Sequence, residues 1–293
     1  MKSMLANYLG TPLTSWLAIA LYILAGFFAL FLFFRAGRHE LVDDEVLFDT
    51  TLIGAIGALF VGRVIDFFTR SDFYKFSIKK LVFFNAFSGF DWYGALLGTA
   101  ILAGVYLKRK KQKVLFIFDL ASAPIVFGAM LASLVNYLLF GKLIATLYFA
   151  GLLVIFWILK RFAKTKKFDG FFATLSLILT GFLNLALYPH LFLQFDYQRV
   201  ATIITPVLGL LLFYKFSKRT PRADLKNLSA AILLSLFKTK RVLFSTSEAN
   251  LVARSILLSP YYLVKLLLHL VKLLGREIYI SMIDLKNIVR LKK

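Results

Sequence analysis

The feature that most limits what this chain can fold into is a row of apolar runs, each about 18 residues or longer, divided by short clusters of Lys and Arg. In hydrocarbon every backbone N–H and C=O must be paired within the segment, so runs of that length read as helices. The period-two alternation of a transmembrane barrel is absent. Seven spans are expected, at about 14–34, 46–68, 92–107, 114–141, 143–159, 169–195 and 200–216. The shorter aromatic stretch 81–90, "LVFFNAFSGF", reads as an interfacial or re-entrant piece. The fold class expected is an all-α polytopic membrane protein.

Basic residues set the orientation. Span one is followed by Arg35 and Arg38, span three by "KRKKQK", span five by "KRFAKTKK" and span seven by "SKRTPR". The opposite connections, "GK" and "DYQR", are poor in charge, and only "TRSDFYKFSIKK" after span two dissents. The N-terminus is therefore expected outside and the C-terminus in the cytoplasm, as in a multi-pass membrane protein. The run that follows Lys2 is too long for a cleaved signal and reads as a retained first span.

Hydrophobic residues make up 60% of the chain, yet the net charge is +21. Because the cations lie between oily runs, phospholipid headgroups rather than nucleic acid are their expected partner. The absence of Cys excludes disulfides and thiolate chemistry. Three His with no ligand spacing give no reason to expect a metal or any other cofactor.

Two domains follow: a seven-helix membrane domain, 1–216, and a basic tail, 217–293, with 15 Lys/Arg against 4 Asp/Glu. In the tail, "YYLVKLLLHLVKLLGR" places Lys265, His269, Lys272 and Arg276 on one helical face, with Leu, Val and Tyr on the other. Such an amphipathic helix lies in a membrane surface or packs on a partner protein. Pro260 breaks the preceding helix and Gly275 ends this one. No repeat of fixed period is found.

Ionisable groups inside the oil are costly and mark candidate sites. Arg63 and Asp66 are three apart on one helix face and can pair. Arg63 either binds a lipid phosphate, which suits its guanidinium, or snorkels to the outer headgroups. Asp119 reads as an interfacial carboxylate near "KRKKQK", and Pro124 kinks the same span. Asn136 and Asn184 read as interhelical glue or as ligand contacts. "GAIG" at 54–57 and "YGALLG" at 93–98 supply small residues for close helix packing. Asp91, Tyr93, Arg63, Asn136, Asn184, Tyr188 and His190 share one expected depth near the outer leaflet, where aromatic belts also lie.

At these residues the chain resembles the prolipoprotein diacylglyceryl transferase family, over about residues 10–216. "LIGAIGALFVGRVIDFF" is similar to the family's Gly-Gly-Arg-Leu-Gly-Tyr helix, keeping Gly62 and Arg63. "FDWYGALLG" resembles its Phe-His-Gly-Gly-Leu-Ile-Gly helix. "FDLASAPIVFGAMLASLVNYLLFG" resembles Asp-Phe-Ile-Ala-Pro running into Gly-Arg-Leu-Gly-Asn, with Asp119, Gly128 and Asn136 at matching positions. Leu147 and Tyr148 match a Gln-Leu-Tyr-Glu helix.

The resemblance implies transfer of a diacylglyceryl group from phosphatidylglycerol to a cysteine thiol of a lipoprotein precursor. Arg63 and Asn136 would contact the lipid phosphate and headgroup, Tyr93 would supply a hydroxyl, and Asp66, Asp91, Asp119, Tyr148 and Asn184 would support them. The chain departs from the family at several charged positions. Tyr93 stands at the family's histidine, Met130 at its signature arginine, and Leu138 and Phe149 at glutamates. Thr180, Gly181, Asn184 and Tyr188 replace a Tyr-Gly-x-x-Arg-x-x-x-Glu run. The alternative is a catalytically inactive relative that binds lipid or a partner. A transporter or channel lacks support, since no paired broken helices or charged pore ring stands out.

Overall fold

The computed structural model describes residues 11–69, 91–141, 143–163, 167–187 and 197–224, with scattered positions from 226 to 283. Every regular element among them is helical. The chain divides into two compact units, Met1–Phe216 and Ser217–Lys293. The helices up to Ser217 are α1 (Thr11–His39), α2 (Asp44–Thr69), α3 (Trp92–Arg109), α4 (Val114–Phe140), α5 (Leu143–Arg161), α6 (Phe171–Leu187) and α7 (Tyr197–Ser217).

Among the described residues, five of these helices are long and apolar enough to cross a membrane: Trp16–His39, Asp44–Thr69, Val114–Phe140, Leu143–Arg161 and Val200–Ser217. The expectation of about seven is met only to that extent. Helix α3 gives its last positions to Lys108 and Arg109, which shortens its oily stretch. The described part of α6 has 17 residues. The aromatic stretch 81–90, the basic connection after span two, and Tyr188 and His190 lie outside the described residues. Large apolar side chains such as Phe27, Phe60, Leu143 and Leu211 point outward. Continuous oily surface of that kind calls for a lipid solvent. The molecule is a multi-pass helical membrane protein.

Helices α1 and α2 form one hairpin and α3 and α4 another, through the short turns 40–43 and 110–113. The turns share one pattern. Leu41 and Lys111 both take left-handed backbone at φ 57. Leu41 N–H donates to Arg38 at 3.1 Å and Val42 N–H to Gly37 at 3.0 Å. Lys111 N–H donates to Lys108 at 3.1 Å and Gln112 N–H to Leu107 at 2.9 Å. Each turn thus satisfies carbonyls that a helix end leaves open. Beneath them Phe33, Val46, Leu47, Leu107 and Ile117 pack as one buried cluster. On the surface, Lys110 reaches Glu45 at 3.3 Å, so both turns lie at the same end of the bundle.

The hairpins meet along two seams, α2 on α3 and α1 on α4. On the first, a Cβ at Gly57 would strike the Gly98 carbonyl, and one at Gly98 would strike the Gly57 carbonyl. Only glycine permits that approach. Thr99 Oγ1 then donates to the Gly54 carbonyl at 3.1 Å. The second seam is made by side chains: Ala18, Val135 and Leu139 pack with Leu21 and Tyr22. Helix α5 joins α4 through Phe127 and Phe156, 5.2 Å apart. Helices α6 and α7 close where Gly181 faces the ring of Pro206.

Candidate functional site

At a rise of about 1.5 Å per residue, Tyr93 lies roughly 25 Å along α3 from the turn at 110–113. It belongs to the opposite end of the bundle, where the polar residues expected at one depth gather only in part. Asp91 caps α3: its Oδ1 accepts the Gly94 N–H at 2.6 Å, the usual service of an Asp at that position. The Asp91 N–H donates to the Gly62 carbonyl at 3.2 Å, fastening the start of α3 to α2 one residue before Arg63. Gly94 allows this, since a Cβ there would come within 3.0 Å of the Gly62 Cα.

Arg63 and Asp66 are buried on α2, at 2% and 1% exposure. Either reading of Arg63, snorkelling or a lipid phosphate, requires a headgroup to reach a side chain that lies inside the protein. Both residues are engaged in interactions, as buried charges must be.

Tyr93 joins three helices. Its hydroxyl shares a hydrogen bond of 2.8 Å with Thr202 Oγ1 of α7 and accepts from Asn184 Nδ2 of α6 at 3.3 Å. Thr202 is buried, and Pro206 lies four residues on. A proline there removes the N–H that would take the Thr202 carbonyl, so the polar cluster sits where α7 is interrupted. Asn136 belongs to a different contact: its Oδ1 accepts from the Tyr22 hydroxyl at 2.8 Å, across the seam of α1 and α4.

Asp119 lies near the turn end. Its two oxygens accept from Gly170 N–H at 2.8 Å and Ala173 N–H at 3.0 Å, so a side chain of α4 caps the start of α6. A carboxylate at that position meets the positive end of the helix dipole. Tyr148 is half-buried on α5. In the second unit, Lys265, His269, Lys272 and Arg276 are helical and exposed; Gly275 does not end the helix as expected, since it and the described positions 276, 279, 280, 282 and 283 are helical too.

Tyr22 and Thr202 escaped the sequence reading. Each had a faint signal: a phenol inside an oily span needs a partner for its hydroxyl, and a polar residue four before an intrahelical proline stands beside a freed carbonyl. The cluster offers two hydroxyls and an amide, and Arg63 is a buried guanidinium on the neighbouring helix α2; such groups suit the oxygens of a phosphoester headgroup. No group of three or more His, Asp or Glu that could hold a metal occurs among the described residues.

No curated protein matches the chain. Residues 13–144 match the family model described as prolipoprotein diacylglyceryl transferase, a stretch running from α1 to the start of α5 and containing Arg63, Asp66, Asp91, Tyr93, Asp119 and Asn136. Over that stretch, a little under half of its length, the chain is similar to the prolipoprotein diacylglyceryl transferase family.

Proposed function

We propose that this protein handles phosphatidylglycerol in the bacterial cytoplasmic membrane and transfers its diacylglyceryl group to the cysteine of a lipoprotein precursor. The single observation that carries the reading is the family match over 13–144, which falls on the helices bearing the buried Arg63 and the Asp91–Tyr93 start of α3. In the reaction a bond between the glyceryl carbon and the phosphate oxygen breaks and a carbon–sulfur bond forms. Glycerol phosphate leaves with negative charge, and the thiol gives its proton to a base. Arg63 meets the phosphate charge, Asn136 orients the headgroup, and the Tyr93 hydroxyl, held by Asn184 and Thr202, lies beside the reacting ester. Seven helices span, with the turns 40–43 and 110–113 in the cytoplasm and the polar cluster beneath the outer face.

The test is complementation in cells depleted of their own transferase, reading the acylation of a lipoprotein precursor. Restored acylation that Arg63→Ala abolishes is the expected result. A membrane-inserted, unmutated protein that restores none would remove the transfer step.

A second reading is favoured by one observation: the polar groups are spent on one another. Tyr93 is held by Asn184 and Thr202, Asn136 by Tyr22, and the Asp91 carboxylate by its own helix. In that reading the family's charged groups have given way to interhelical hydrogen bonds, and the chain retains lipid without turnover. Native mass spectrometry separates the two. Selective retention of phosphatidylglycerol without acylation supports the second, and equal retention of neutral and anionic lipids sinks the phosphate contact in both.

A further inference from the structure

The tail has a surface that the transferase reading does not use. Lys265, His269, Lys272 and Arg276 are exposed helical positions, and so are Val264, Leu268, Val271 and Met282. Tyr261 and Tyr279 are exposed as well. At about 100° per residue the four basic side chains fall within a sector of roughly 60°. On the same scale Val264, Leu268, Val271 and Met282 form a second stripe of about 60° along one flank of the first. Among the described positions the exposed side chains thus form two adjacent stripes, one cationic and one oily, with Ile283 following the last cation on the first.

A water-facing helix would not carry a continuous oily rail. A helix docked on protein through that rail would have no need of a cationic rail beside it. Lipid needs both: acyl chains take the apolar stripe, and headgroup phosphates take the basic one. The charge of the segment, 15 Lys/Arg against 4 Asp/Glu over 217–293, selects an anionic leaflet.

We infer that the helical positions between 261 and 283 lie in the surface of an anionic membrane, with Leu268 and Val271 at the acyl boundary and Lys265, Lys272 and Arg276 among the phosphates. The site is an electrostatic and apolar clamp for a lipid surface, separate from any chemistry at Tyr93.

The chain has no Cys, so single spin labels can be introduced into the full-length protein at Val264→Cys, Leu268→Cys, Val271→Cys and His269→Cys. Reconstitution in phosphatidylglycerol-rich nanodiscs should move the labels at 264, 268 and 271 into an oxygen-rich, nickel-poor setting. The label at 269 should stay shallower. In pure phosphatidylcholine nanodiscs, or at high salt, that contrast should be lost. The combined variant Lys265→Gln, His269→Gln, Lys272→Gln and Arg276→Gln should lose it in phosphatidylglycerol while the bundle stays folded. Labels that remain in water in both lipids would overturn the inference. So would equal shielding from both probes in both lipids, the mark of docking on protein, and so would full insertion of the glutamine variant.

Discussion

The two hairpins, α1–α2 and α3–α4, turn alike and meet differently. Their turns share the same hydrogen bonds and the same left-handed residue, although "ELVD" and "KKQK" have no residue in common. Their seams diverge: α2 and α3 touch backbone to backbone at Gly57 and Gly98, whereas α1 and α4 touch through side chains. The difference teaches where sequence is free. A turn closed by backbone bonds accepts many side chains, while a seam closed by backbone contact accepts almost none. The residues of greatest functional interest, Arg63, Asp91 and Tyr93, lie on the two helices of the unforgiving seam.

The strongest way to break this comparison is to add one methyl group to each seam. In Gly98→Ala the new Cβ meets the Gly57 carbonyl, which no rotamer change can move aside. The bundle should lose about 3 kcal/mol, at the upper end of overpacking costs. In Gly128→Ala the nearest atom is the Cβ of Ala29 at 2.9 Å, a smaller overlap that a slight parting of α1 and α4 relieves. About 1 kcal/mol is expected there. Thermal unfolding in a fixed detergent measures both, and equal losses would erase the distinction.

Next in size is the cap on α6. Asp119→Ala strands the Gly170 and Ala173 N–H groups in a buried setting and should cost about 2 kcal/mol. Asp119→Asn keeps one accepting oxygen and should recover part of that loss. Should lipid retention fall while stability holds, Asp119 would be more than a cap.

Smaller still are the paired hydroxyls. Tyr93→Phe removes two interhelical hydrogen bonds and Tyr22→Phe one, each worth about 0.6 kcal/mol on average in membranes. Stability should fall somewhat further in Tyr93→Phe than in Tyr22→Phe. Acylation or lipid selectivity should change only for Tyr93→Phe. Unchanged function in both would reduce Tyr93 to interhelical glue.

The helical segments were legible in the sequence because the alternation of oil and Lys/Arg is the strongest signal a membrane chain carries. The gathering of Tyr93 with Asn184 was legible through shared depth, since both are expected at the outer ends of their spans. The partners of Asn136 and Asp119 were not. Depth fixes how far along a helix a residue lies but not which neighbour it faces, so Asn136 met Tyr22 while Asp119 met the start of α6. The signal of Thr202 was faint because a hydroxyl in an oily run can bond its own helix and so need not mark a site. The equivalence of the two turns was hidden for a related reason: backbone bonds leave no imprint on residue type.

The two turns should also yield the smallest effect. Leu41 is 93% exposed and sits at φ 57, where a Cβ crowds the carbonyl. Lys111, also exposed, has the same φ. Glycine relieves about 1 kcal/mol of strain in that backbone region, and its added freedom in the unfolded chain returns about half. Leu41→Gly and Lys111→Gly should therefore each raise stability by about 0.5 kcal/mol, the difference of those two contributions. The two gains should match to within about 0.3 kcal/mol and add in the double variant, because the turns act through separate backbone bonds. A gain at one turn and a loss at the other would show that shared geometry conceals different energetics, with Leu41 or Lys111 held in place by contacts beyond its own turn.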